Sequence, residues 1–82
     1  RDFRKENSMA PKIDLEETGK NIKKLLQERN LTPRSIQVWF GFSTVTPIYH
    51  WMNGRNLPTV DNLLILSYVL DCSMEHILVY ES

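Results

Sequence analysis

At 82 residues, the chain has room for one small domain, near the lower limit for folding on a single core without staples. Its single cysteine, Cys72, excludes an intramolecular disulfide and fits a reducing compartment. No apolar run approaches the ~18–20 residues of a membrane span, and no signal-like apolar segment opens the chain, so a cytoplasmic domain is expected. Ten basic and ten acidic residues cancel, and bulk charge alone argues against a nucleic-acid partner. The distribution argues otherwise. From Arg29 through Val60 there are three arginines and no Asp or Glu, whereas Asp61 to Ser82 holds four acids and no Lys or Arg. An acid-free middle segment can approach a phosphate backbone.

Residues 1–12 have no apolar periodicity and read as a disordered N-terminal arm. Met9 offers a start, which would make residues 1–8 non-native. From residue 13 the pattern becomes helical. Leu15, Ile22, Leu25 and Leu26 share one side with the small residues Thr18 and Gly19, predicting an amphipathic helix from Asp14 or Leu15 to about Arg29. Acids in its first turn suit the helix dipole, and Asn30 suits its stop.

"LTPRSIQVWFGF" restarts the pattern. Thr32 is a good cap and Pro33 a good first helical residue. Ile36, Trp39 and Phe40 are expected to face inward, and Gly41 to end this two-turn helix with a positive φ. A third helix follows in "STVTPIYHWMNG". With Thr44 as cap, Pro47 falls in the first turn, where N–H groups are unpaired anyway. The constraint that proline places on its predecessor favours Thr46 as cap instead. On either start, Ile48, Trp51 and Met52 cluster on one side, and Thr46, Tyr49, His50 and Asn53 on the other.

Asn53-Gly54 and Pro58 are loop signals. Thr59 can cap a fourth helix with Leu63, Leu66, Ser67 and Leu70 inward and Leu64 and Val69 widening the stripe. Asp71 and Cys72 interrupt, Ser73 caps a short fifth helix through Met74, Ile77 and Leu78, and "VYES" reads as tail. The expected fold is an all-α domain of five helices over residues 13–82. Its candidate core is Ile22, Leu25, Leu26, Ile36, Trp39, Phe40, Ile48, Trp51, Leu63, Leu66, Leu70 and Ile77. Trp39 and Trp51 phase toward this core rather than serving as stacking platforms for single strands. Truncating either to alanine is expected to cost ~3–5 kcal/mol.

The exposed stripe of the third helix carries the functional signal. Thr, Tyr, His and Asn all hydrogen-bond, and none is a carboxylate, which suits probing base edges and phosphates. An αα corner that only packs would have the same helices. No nucleophile–base set and no glycine-rich phosphate loop is present, so neither catalysis nor a cofactor is expected. Cys72 and His76 lie four apart but lack a third ligand for a metal.

The stretches "TGKNIKKLLQERNLTPRSIQVWFGF" and "IYHWMNGRNLPTVDNLLILSYVLDCSMEHILV" resemble the Cro/cI-type helix-turn-helix family, also called the XRE family. The resemblance runs from about Leu15 to Val79. It rests on Leu31-Thr32, Gly41, Ile48 and Trp51, Asn53-Gly54-Arg55, Pro58 and Asn62-Leu63-Leu64, and is similar to small Gram-positive bacterial or phage regulators. It differs at Pro33, where many members have Gln, and at Met52, where many have Glu. The interval from Gly41 to Gly54 is also longer by a residue than the commonest form.

The resemblance implies a lambda-repressor-like fold with the helix-turn-helix at helices 2 and 3, and favours Thr44 as cap. It implies a transcriptional regulator, in the repressor class, that binds double-stranded DNA as a homodimer on near-palindromic sites within the nucleoid. Carried over by position, Thr44, Thr46, Tyr49 and His50 are base contacts, and Arg34, Ser43, Asn53 and Arg55 phosphate contacts. The acidic C-terminal segment, with Ile77, Val79 and Tyr80, is the expected self-contact. The alternative is an antitoxin-like or accessory module on the same fold, capturing a protein partner through that acidic segment.

Overall fold

The structure, a computed structural model, describes residues 10–81; residues 1–9 of the arm expected over residues 1–12, and the terminal Ser82, lie outside them. Five helices and one two-stranded sheet follow in the order β1 (Lys12–Ile13), α1 (Leu15–Glu28), α2 (Pro33–Phe40), α3 (Thr46–Met52), α4 (Val60–Leu70), α5 (Met74–Ile77) and β2 (Tyr80–Glu81). The protein is therefore mostly helical. No helix among the described residues is long and apolar enough to cross a membrane.

Short polar side chains set four of the helix starts. The Asp14 carboxylate accepts from the Glu17 amide at 3.0 Å, and Thr59 and Ser73 cap α4 and α5 in the same way. At α2 the cap is reciprocal. Thr32 Oγ1 accepts from the Ser35 amide, while Ser35 Oγ accepts from the Thr32 amide, so two orphan donors are satisfied at once. The stops use left-handed residues. Asn30 (φ 56°), Gly41 (φ 68°) and Asp71 (φ 53°) end α1, α2 and α4. After α1, Asn30 and Leu31 donate back to Gln27 and Leu26, closing the helix and returning Leu31 to the core.

α1 packs against α3 and α5, and α2 against α3 and α4. Between them lie Ile22, Leu25, Leu26, Ile36, Ile48, Trp51, Leu63, Leu66, Leu70 and Ile77, all buried. Gly19 sets how close α1 and α3 come. A Cβ built there would lie 2.5 Å from the Trp51 carbonyl oxygen and 2.6 Å from that of Met52. The Arg29 guanidinium joins α1 to α4 by donating to the carbonyls of Leu25 and Leu70.

Sequence expectations are corrected in three places, the first being the core. Trp39 is not core; it is 61% exposed. On a two-turn helix the inward direction falls between Ile36 and Phe40, which places Trp39 about 80° to one side, over α4 rather than under it. Phe40 is only partly buried. It stacks on Phe42 at 5.3 Å and meets Trp51 edge-on at 5.2 Å, so Phe42 joins an aromatic cluster for which spacing gave no sign. Leu64, expected to widen the inward stripe of α4, is also exposed.

The chain ends are the second correction. Tyr80–Glu81 is not a free tail but pairs antiparallel with Lys12–Ile13, in the register Lys12 to Glu81 and Ile13 to Tyr80. Lys12 thus belongs to the folded unit and not to an arm. Two-residue strands carry no alternation to read, and the pairing is secured from elsewhere. The buried Thr18 hydroxyl accepts from the Val79 amide at 2.9 Å and lies 3.2 Å from the Val79 carbonyl. Asn21 Nδ2 donates to the carbonyls of His76 and Ile77. Ile77 is fully buried, which removes it from any self-contact through the C-terminal segment.

The third correction concerns the start of α3. Neither Thr44 nor Thr46 caps it. Val45 holds the cap position without a side-chain hydrogen bond, Thr46 is the first helical residue and Pro47 the second. The Ile48 and Tyr49 amides both donate to the Val45 carbonyl, at 3.1 and 3.2 Å. Pro47 brings no N–H and Ile48 has spent its own, so the helix offers little backbone donation at its start.

Candidate nucleic-acid interface

The surface built around α3 is set by burial on its far side. Ile48 and Trp51 are buried against α1 and the aromatic pair Phe40 and Phe42. At about 100° per residue this turns Thr46, Tyr49, His50 and Asn53 outward. Thr46, Tyr49 and Asn53 are exposed and His50 is half-buried. Ser43 and Thr44, exposed in the link from α2, extend the same polar surface. None of these residues is acidic.

The C-terminal end of α3 shows why Asn53-Gly54-Arg55 stands where it does. Gly54 takes φ 72°, its amide donates to the Trp51 carbonyl, and the Arg55 amide donates to the His50 carbonyl at 2.9 Å. This is a Schellman closure. It folds the chain back along the helix and brings Arg55 Nη1 to 3.5 Å from His50 Nε2. A cation is thereby attached to the polar face by backbone geometry. Gly54 is required twice over, since a Cβ there would also lie 2.9 Å from Glu16 Cα at the start of α1.

A groove of about 570 Å³ runs beside α3 and gathers part of the expected site. Thr44, Thr46 and His50 line it, together with Asn56, Thr59 and Asn62 from the α3–α4 link and the start of α4. None of those last three was among the site residues expected from the sequence, where Thr59 read as a cap and Asn62 as part of the fourth helix. The available signal was Asn56, Thr59 and Asn62, three uncharged hydrogen-bonding residues at every third position of "NLPTVDN". Tyr49 and Asn53 stand outside the groove on the exposed helix face. Ser43 precedes it, and Arg34 projects from the start of α2 as an exposed side chain. Thr59 and Asn62 are partly engaged already, the Asn62 amide donating to Thr59 Oγ1.

The surface has hydrogen-bond donors and acceptors of several shapes, one cation held at its edge, and no carboxylate among the residues that line the groove. Among the described residues no three Cys, His, Asp or Glu side chains gather into a metal-binding group. Compared with known proteins, the chain matches no family model, no curated protein and no solved structure.

Proposed function

We propose that this protein is a sequence-specific regulator that binds double-stranded DNA, with α2 and α3 working as a helix-turn-helix and α3 lying in the major groove. The observation that carries this reading is the outward face of α3: Thr46, Tyr49, His50 and Asn53 without an acid, and Arg55 folded back beside them. A helix fits the major groove, where each base pair presents its own pattern of donors and acceptors. Thr46, Tyr49 and His50, with Thr44 ahead of them, read base edges. Asn53 and Arg55 at one end, and Arg34 and Ser43 at the other, hold the backbone and set the register.

Because α3 begins with few free amides, side chains rather than a helix N-terminus supply these anchors. One domain makes few contacts, so the reading calls for a homodimer on half-sites about 34–36 Å apart.

Selection of bound duplexes from a random pool, followed by titration at low and moderate salt, tests this. A recovered motif is expected. Arg55→Ala should weaken binding to all duplexes and reduce the salt slope by about one. Thr46→Ala or His50→Ala should relax preference at particular positions. A pool that yields no motif and no retained duplex would sink the proposal. It would favour a protein-interaction module, for which the zero net charge and the exposed acids Asp71, Glu75 and Glu81 are the supporting observations.

A further inference from the structure

The face made by α2 and α4 belongs to neither the core nor the α3 surface. Trp39 lines a shallow apolar groove of about 280 Å³ there with Leu64, Ile65 and Tyr68. Tyr68 is 78% exposed, and Val60, one turn ahead of Leu64, is 76% exposed. The two helices pack on each other, so these side chains form one patch. Charge is nearly missing from it: Arg34 is the only charged residue of α2 and Asp61 the only one of α4. Solvated helix faces ordinarily carry several Lys and Glu residues, whereas the centre of a protein interface is depleted of them and enriched in Trp and Tyr.

We propose that a second copy of this chain covers this face in a two-fold interface. Area supports that occupant. The exposed parts of Trp39, Val60, Leu64 and Tyr68 come to on the order of 500 Å². Two such faces together remove about 1,000 Å² from water, which reaches the range of a specific interface before its polar rim is added. The patch holds both a groove and the aromatic side chains to fill one. An isologous contact, in which each copy offers the same surface, therefore satisfies both copies at once. Trp39 and Tyr68 are the anchors, being large, stiff and mostly exposed. The proposal moves the self-contact away from the C-terminal segment, where Ile77 is buried, and stands whether or not α3 reads DNA.

Sedimentation equilibrium on the full chain, from the low to the high micromolar range, tests it. The parent chain is expected to pass from monomer to dimer, and Tyr68→Glu to raise the dissociation constant about tenfold or more. Trp39 supplies a second readout. Trp51 is 5% exposed against 61% for Trp39, so acrylamide quenching reports mainly Trp39 and should fall as the protein is concentrated. Tyr80→Glu, in the C-terminal segment, should dimerise as the parent does. If Tyr68→Glu loses its helical circular dichroism, Leu64→Lys, at another exposed position of the patch, takes its place. A parent chain that stays monomeric throughout overturns the proposal. So does a patch variant that dimerises normally, or a dimer broken by Tyr80→Glu instead.

Discussion

Gly19→Ala sets two opposing effects against each other at one atom. In an α-helix interior, alanine is favoured over glycine by about 1 kcal/mol, so on an open helix face the change would stabilise α1. Here the new methyl group would sit 2.5 and 2.6 Å from the carbonyl oxygens of Trp51 and Met52, nearly 1 Å inside ordinary contact. Those atoms are backbone and cannot rotate aside; α3 must move away from α1 as a unit. Overpacking costs ~1–3 kcal/mol where side chains can adjust, and rigid carbonyls put this site at the top of that range. The net expectation is a loss of about 2 kcal/mol, a fall in Tm of about 8–16 °C for a domain of this size. Urea denaturation and a thermal scan measure it. Because α3 carries the proposed DNA face, binding should weaken even at temperatures where the variant is fully folded. A Gly19→Ala protein as stable as its parent would refute the reasoning, since it would mean that the α1–α3 approach is not tight.

Thr18→Val keeps the shape of a buried residue and removes the hydroxyl that serves Val79. The Val79 carbonyl keeps the Asp14 amide as a donor, but leaving the Val79 amide without a partner should cost ~1–3 kcal/mol and speed its hydrogen exchange; unchanged exchange there would mean that the C-terminal strand is held by other contacts. The two tryptophans should separate sharply in dilute solution. Trp51→Ala should lose ~3–5 kcal/mol, whereas Trp39→Ala, at an exposed position, should stay within about 1 kcal/mol of the parent; equal losses would contradict their different burial. Burial pushes the Cys72 thiol above its ordinary pKa, with Asp71 adding to the effect and Arg29 opposing it. Its thiolate is therefore scarcer near neutral pH, so iodoacetamide should label the folded chain more slowly than the unfolded one, with the rate profile displaced to higher pH. Coincident profiles would rule out the desolvation.

Most of the helical framework was readable because each boundary has a local cause. Thr32, Thr59 and Ser73 were readable as caps because a short side-chain oxygen reaches the amide three residues on whatever the rest of the fold does, and Asp14, read only as part of an acidic first turn, caps α1 in the same way. The stop at Gly41 is equally local. What escaped the sequence depends on partners far along the chain. The pairing of residues 12–13 with 80–81 spans nearly the whole molecule and leaves no pattern in two-residue strands. Trp39 lies farther from the inward side of α2 than Phe40 does, but two turns of helix are too few for spacing to fix that side. Only the packing of α2 against α3 and α4 decides that one is left in water and the other reaches the aromatic cluster with Phe42 and Trp51. The start of α3 fell between two threonines because Val45, which has no side-chain hydrogen bond, closes the first turn with its carbonyl. For the candidate surface, the exposed stripe of α3 followed from helical phase alone. Asn56, Thr59 and Asn62 joined it only once the α3–α4 link was folded against the helix.

The meeting of Lys12–Ile13 with Tyr80–Glu81 also has an architectural consequence. A domain whose two ends leave side by side, about 5 Å apart across a strand pair, needs no more space in a host protein than a single hairpin loop. Such a unit can be spliced into the turn of another fold without prising that turn open. Joined end to end by a few residues, it can instead be reopened elsewhere, as at the exposed Asn56–Leu57 link, with every helix still in place.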